Sequence, residues 1–416
     1  MATRSAPPTA AGAPNYTIPF ITVAILFGIF GFLTSLNNQL VAKLEETFSL
    51  AHGPAMLATA AWFLAYLVFS VPSGKLIEVV GYKRTMVISL FIMVLGALAF
   101  IPAANMVSFP MTLGAIFLLA TGVCALQTSA NPYVAILGPE HSASARLNLA
   151  QAFNSGASAL APWVAAALIL TNTGKAESPA AEAHMLVGPY IAIAAALLVL
   201  GFIVMGLHLP AITATRDFRP SDAAAVGGRS IWSYSHVVLG MFGIFFYVGV
   251  EIALAAIGIR FAEQQGISNV QTAGLMVTLY YILIMIGRFA GSAAMTKIKP
   301  EKLLLALGLL GVLLMVAGMV TTGKVAVACL VLCGLANSIM YPTIFALGIA
   351  ELGPLTSRGS GVITVGNVGG AAIPLLFGWL ADHMGIQHAF VVPIICYLFI
   401  AYYGLSGYKP SRSAVA

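Results

Sequence analysis

Long apolar runs, interrupted by charges and by Gly, Pro and Asn, set the pattern of this chain from residue 17 to residue 408. Cutting at those interruptions gives candidate spans at 17–42, 55–77, 85–104, 108–138, 144–172 and 187–208. A second set lies at 235–262, 271–295, 302–321, 324–350, 357–381 and 388–408. A helix needs about 20 apolar residues to cross the hydrocarbon core, and these runs are continuous, whereas barrel strands alternate over stretches of about ten. The expected fold is an all-α membrane protein with twelve transmembrane helices.

The two sets of spans resemble each other. Gln127, Asn131, Pro132, Gly138, Pro139, Arg146 and Pro162 are followed in order by Asn337, Tyr341, Pro342, Gly353, Pro354, Arg358 and Pro374, and Pro132 pairs with Pro342 at an offset of 210. This predicts two pseudo-symmetric six-helix bundles that rock about a site at their interface. The expected organisation is a disordered N-terminal tail (1–16), an N-terminal bundle (17–208), a cytoplasmic linker (209–234), a C-terminal bundle (235–408) and a C-terminal tail (409–416).

Composition sharpens the class. The 416 residues are 60% hydrophobic and 8% charged, with a mean hydropathy of +0.97, whereas a soluble domain carries about 25% charge. The net charge of +6 does not point to nucleic acid, because the bases are dispersed over loops. With both termini in the cytoplasm, Arg4, Lys75, Lys83, Arg84, Arg146, Arg216, Arg219, Arg229, Lys297, Lys299, Lys302, Arg358, Lys409 and Arg412 fall inside. Lys43, Lys175, Arg260 and Lys324 fall outside, the asymmetry of the positive-inside rule. The lipid bilayer is therefore an expected partner. The first apolar run leads into Asn37 and Asn38 and not into a cleavage motif, so it reads as an uncleaved span.

Polar side chains inside the spans fall on common helical faces. Thr34 and Asn38 are four apart, as are Gln127 and Asn131; Gln151, Asn154, Ser155 and Ser158 form a stripe at i, i+3, i+4, i+7. The second half repeats the theme with Tyr247 and Glu251, Asn337 and Tyr341, and Thr364 and Asn367. A single amide of this kind serves as well to glue helices together. The set as a whole, spread over both halves and interleaved with Trp62, Tyr247 and Tyr341, suits a neutral polyhydroxylated ligand, and a sugar fits best.

Glu251 is the acid at membrane depth and the leading functional candidate, as a ligand for sugar hydroxyls or a coupling cation. Arg288 is expected to anchor near a cytoplasmic helix end, an ion pair with Glu251 being the alternative. Conformational gating is assigned to the loops holding Gly74, Gly81, Lys83, Arg84, Arg146 and Arg358. The stretch from Gly74 to Arg84 is no phosphate loop, since no Gly-Lys-Ser/Thr follows. No metal-ligand spacing or hydrolytic triad is present, so neither an enzyme nor a cofactor is expected. Cys124, Cys329, Cys333 and Cys396 lie within apolar runs and read as packing.

Several segments carry a resemblance: Leu36-Asn37-Asn38, Gly81-Tyr82-Lys83-Arg84, the run from Leu126 to Val134, the run from Arg146 to Ser155, Phe245 to Glu251, Asn337 to Thr343, Thr356 to Gly361 and Gly385 to His388. Together they resemble the major facilitator superfamily, and within it the fucose-galactose-glucose/proton symporter family, glucose/galactose branch. The resemblance implies a hexose transporter of the bacterial inner membrane, working by alternating access, and a monomer is expected. It carries sugar-binding roles onto Asn38, Gln127, Gln151, Asn154, Glu251 and Asn337; the stripes add Asn131, Tyr247 and Asn367. Fucose-type symporters have a carboxylate where this chain has Asn38, and another where it has Gln127. An amide does not titrate near neutral pH, so the expectation is a facilitator. The alternatives are a symporter coupling a proton or sodium ion through Glu251, and an exporter of another small organic solute.

Overall fold

The computed structural model describes residues 17–47, 52–170, 187–207, 230–267 and 270–410, with the side chains of 37–47, 52–56 and 165–170 among those outside the description. The first half comprises α1 (Thr17–Thr47), α2 (His52–Val80), α3 (Tyr82–Asn105), α4 (Phe109–Ile136), α5 (Ala143–Leu170) and α6 (Val187–Gly206). The second comprises α7 (Ser235–Gln264), α8 (Val270–Ala294) and α9 (Pro300–Val320), then α10 (Gly323–Gly348), α11 (Gly353–Met384) and α12 (Ile386–Gly407). Among the described residues, eleven of these are apolar and long enough to cross a membrane, and α5 is a further helix of 28 residues. The fold is all-helical, as the continuous apolar runs require.

Leu64, Val199, Leu313 and Leu398 are exposed along the helices, where hydrocarbon and not water is the expected neighbour. Within the first half α3 packs on α4 and α6, α2 on α4, and α1 on α5. Within the second, α10 packs on α8 and α9, α7 on α11, and α9 on α12. The halves meet through α2 against α11 and through α5 against α8, with α4 and α10 behind them. All four cysteines are buried and free.

One departure from the apolar pattern is a break in α10, where helix Gly323–Asn337 ends and Met340–Gly348 begins. The break falls at the polar pair Asn337-Ser338, four residues ahead of Pro342. Likewise α11 is helical over Thr356–Val365, tightens to a 3-10 turn at Gly366–Val368, and resumes at Gly369–Met384. Both irregularities lie beside the seam between the halves, and irregular backbone at membrane depth is tolerated where protein surrounds it.

Candidate functional site

Proline leaves hydrogen-bond acceptors free on helices of both halves. It has no N–H for the carbonyl four residues before it, and in a bilayer that oxygen needs another donor. Pro132 deprives Thr128 O, and Ser360 Oγ of α11 donates to it at 2.6 Å. Pro342 deprives Ser338 O at the break in α10, and Arg288 Nε of α8 donates to it at 3.0 Å. Near the other end of α5, Pro162 deprives Ser158 O, which accepts from Ser35 Oγ of α1 at 3.1 Å. The same rule thus ties helices together at three points.

On the first-half side of the seam, Gln151 Nε2 donates to Asn131 Oδ1 at 3.1 Å, joining α5 to α4. Asn131 is fully buried, and its Nδ2 has no hydrogen-bond partner among the described residues. Gln127 is half-buried, accepts from the Tyr66 hydroxyl at 3.2 Å, and supplies the polar side chain of an otherwise apolar pocket between α1, α3, α4 and α6. Asn154 turns towards α1, its Nδ2 donating to the Phe27 carbonyl at 2.9 Å. Asn38 lies on α1, and its side chain is outside the described residues.

On the other side, Tyr341 stands against Asn131 and Asn367, and its ring meets that of Tyr247 edge-on at 6.0 Å. Its buried hydroxyl lies close to the side-chain amides of both asparagines. Asn367 sits in the tight turn of α11 and donates to Thr364 O at 2.8 Å. The Tyr247 hydroxyl accepts from Arg288 Nη2 at 3.4 Å and is within hydrogen-bonding reach of the Glu251 carboxyl, one helical turn on. Asn337 lies deeper: its Nδ2 donates to the Tyr280 hydroxyl at 2.6 Å and its Oδ1 accepts from the Tyr397 hydroxyl at 2.8 Å. That bonding ties α10 to α8 and α12, which is the glue alternative left open by spacing alone.

Arg288 is 7% exposed and lies less than two turns before the end of α8 at Ala294. Besides Ser338 O and Tyr247, it donates to the Gln151 carbonyl at 3.2 Å and to Ser155 Oγ, both on α5. The charge therefore bridges the two halves. Spacing gave no access to this, because the partners come from three other helices and two of them are main-chain oxygens.

One end of the bundle is shut. Glu78 at the end of α2 holds Arg358 of α11 bidentately, accepting from Nε at 2.6 Å and from Nη2 at 3.2 Å. Gly74 and Gly361 let the two helices touch: a methyl at Gly74 would lie 2.7 Å from Ser357 O, and one at Gly361 would lie 2.8 Å from Ser70 O. Across the seam, α5 closes on α8 and α10 by other means, Ser292 Oγ of α8 donating to Ala145 O at 2.9 Å and Asn148 Nδ2 to Thr343 Oγ1 of α10 at 3.2 Å. Arg146, the repeat equivalent of Arg358, donates to the carbonyls of Val134 at 3.3 Å and Pro139 at 2.7 Å, capping α4 in its own half. Gly81 has φ 82° and makes the turn into α3; Lys83 donates to Met205 O at 2.8 Å, and Arg84 is exposed. Of the residues assigned to gating, Gly74 and Arg358 join the halves directly.

Two like six-helix halves, a polar network crossing their seam, and one end shut by side chains from both define a membrane transporter. The chain belongs to the Major Facilitator Superfamily, whose profile matches residues 20–367. It is 40% identical over 397 residues to a glucose/galactose transporter of Brucella abortus, covering 95% of each chain. It is 32% identical to the L-fucose-proton symporter of Escherichia coli, with 93% of this chain and 92% of that one aligned. In structure it resembles the fucose transporter FucP in its outward conformation, with a TM-score of 0.85 at 29% identity over 94% of this chain and 99% of that one. The xylose symporter XylE shares the fold at 14% identity, with a TM-score of 0.72 over 95% of this chain and 97% of that one.

Proposed function

We propose that this protein carries a hexose, glucose or galactose, across the bacterial inner membrane by alternating access. The observation that carries this reading is the seam itself: Asn131 and Tyr341 set buried polar groups against each other from opposite halves, flanked by Gln151, Asn367, Tyr247 and Glu251. Groups that donate and accept, set against aromatic rings, match a ligand with many hydroxyls and no charge. The names borne by its relatives point the same way.

In this reading the halves are residues 17–208 and 235–408, residues 209–234 form a cytoplasmic linker, and both termini are cytoplasmic. The end held by Glu78 and Arg358 is then the cytoplasmic gate, and the cavity is open to the outside. Sugar contacts are assigned to Asn38, Gln127, Asn131, Gln151, Asn154, Tyr247, Glu251 and Asn367, with Asn337 acting by holding α10. Transport is facilitated diffusion, because the first half offers Asn38 and Gln127 and no carboxylate at those positions.

The test is counterflow of radiolabelled glucose into liposomes holding the purified protein, competed by hexose epimers and deoxy sugars. An analogue lacking a recognised hydroxyl leaves a buried amide unpaired, a cost of about 1 to 3 kcal/mol. Graded competition by hexoses is expected. Competition by organic cations with none by hexoses overturns the reading.

A further inference from the structure

The Arg288 guanidinium is shared between the two halves. Its Nε and Nη2 serve Ser338 O and Tyr247, in the second half, while Nη1 serves the Gln151 carbonyl and Ser155 Oγ, in the first. One turn further along α8, Ser292 reaches Ala145 of α5. The bond from Asn148 to Thr343 adds a second crossing at the same end. Arg288 therefore heads the stack of side chains that shuts this end of the bundle.

Opening that end separates α5 from α8, which takes the Gln151 carbonyl and Ser155 away from the guanidinium. A buried charge that loses acceptors is costly unless another group replaces them. The group within reach is Glu251, already linked to Arg288 through the Tyr247 hydroxyl. Ser338 O stays with Arg288 in either state, because both lie in the second half and Pro342 keeps that oxygen without a helical donor. The guanidinium is thus tethered at one edge and free to exchange partners at the other.

We propose that Arg288 is the latch between the halves, and that Glu251, acting through Tyr247, releases it by taking over the charge that α5 holds in the shut state. The inference rests on the transporter reading only in requiring two states of the seam. The acceptor for the latch is a carboxylate of the second half, so the conformational equilibrium answers to the charge at Glu251 even with no sugar bound. Arg288 and Tyr247 act as positioning residues.

The test measures the distance between nitroxide labels on His141→Cys and Lys299→Cys, exposed positions on opposite halves at the shut end. The native cysteines are buried, and the full chain is placed in lipid nanodiscs without sugar. Arg288→Gln and Ser155→Ala should each raise the separated population about threefold or more, and Glu251→Gln should lower it to a similar degree. Tyr247→Phe should follow Glu251→Gln, and Glu251→Gln added to Arg288→Gln should change nothing further. A Glu251→Gln shift of equal size in both backgrounds overturns the proposal, as does an unmoved distance in Ser155→Ala, which keeps the charge and the fold. Failed hexose counterflow with these distance shifts intact would reject the substrate and leave the latch standing.

Discussion

Ser360 of α11 donates to the carbonyl of Thr128 on α4, 2.6 Å away, and that oxygen is available because Pro132 cannot bond it. A residue that ordinarily breaks helices here creates the acceptor that joins the halves. Removing the hydroxyl leaves a buried carbonyl without a donor, a loss of about 1 to 3 kcal/mol. Ser360→Ala should therefore raise the separated population at the shut end, read by the distance between labels on that end. Pro132→Ala supplies the missing helical N–H and should weaken the same contact, while Ser360→Thr should preserve it.

Glu78 and Arg358 form a bidentate pair at the rim of the gate, with side chains 14% and 38% exposed. Partial exposure limits the pair to about 1 kcal/mol, so its effect belongs on rate more than on folding. Glu78→Gln and Arg358→Gln should each change the counterflow rate several-fold. The exchange Glu78→Arg with Arg358→Glu should recover most of the loss, and the four rates form a double-mutant cycle.

Gly74 and Gly361 mark where α2 and α11 approach to backbone contact. Gly361→Val should force them apart and leave the gate unable to shut. The expected result is sugar exchange abolished with normal insertion into the membrane. Cysteines introduced between the helices at the shut end should react with a thiol reagent at least about tenfold faster, since burial there governs access.

Gln151 and Asn337 are both interior amides with different surroundings. Gln151→Ala removes the partner of Asn131 beside the seam and should weaken sugar binding about ten- to hundredfold, roughly 1.4 to 2.8 kcal/mol. Asn337→Ala leaves the hydroxyls of Tyr280 and Tyr397 unpaired and should lower the melting temperature, with affinity within about threefold of the parent. Calorimetry with glucose and thermal unfolding in detergent separate the two effects.

Coupling is read from driven transport. With a proton or sodium gradient as the sole driving force, liposomes should equilibrate sugar without accumulating it, because a facilitator has no second ligand with reciprocal coupling energy. Accumulation above the outside concentration overturns facilitation and directs attention to Glu251. In that case Asn38→Asp should strengthen proton dependence.

The sequence by itself determined the class, the number of spans and their pairing into two halves. Each of these follows from local quantities: the length and continuity of apolar runs, the side of the membrane taken by bases, and the order of Pro, Gly and Arg in the repeat. It also marked Gln127, Asn131, Gln151, Asn154, Tyr247, Glu251, Asn337 and Asn367 as polar positions facing inward. Periodicity, however, fixes a helical face and leaves its neighbour undetermined. Tertiary structure decided that Asn337 closes on two tyrosines, that Asn154 ties α5 to α1, and that Arg146 caps its own half while Arg358 crosses to Glu78. The repeat could not foresee this last difference: Arg358 faces Glu78 across the α2 and α11 crossing, whereas the corresponding crossing of α5 and α8 is made by Ser292 and Ala145. Arg288 shows the limit most clearly. Its partners lie on α5, α7 and α10, and two of them are carbonyl oxygens that every residue possesses, so no residue type in the chain could announce them. Pro132 and Pro342 leave the carbonyls of Thr128 and Ser338 without a helical donor, but which side chain supplies one depends on how helices distant in sequence are packed.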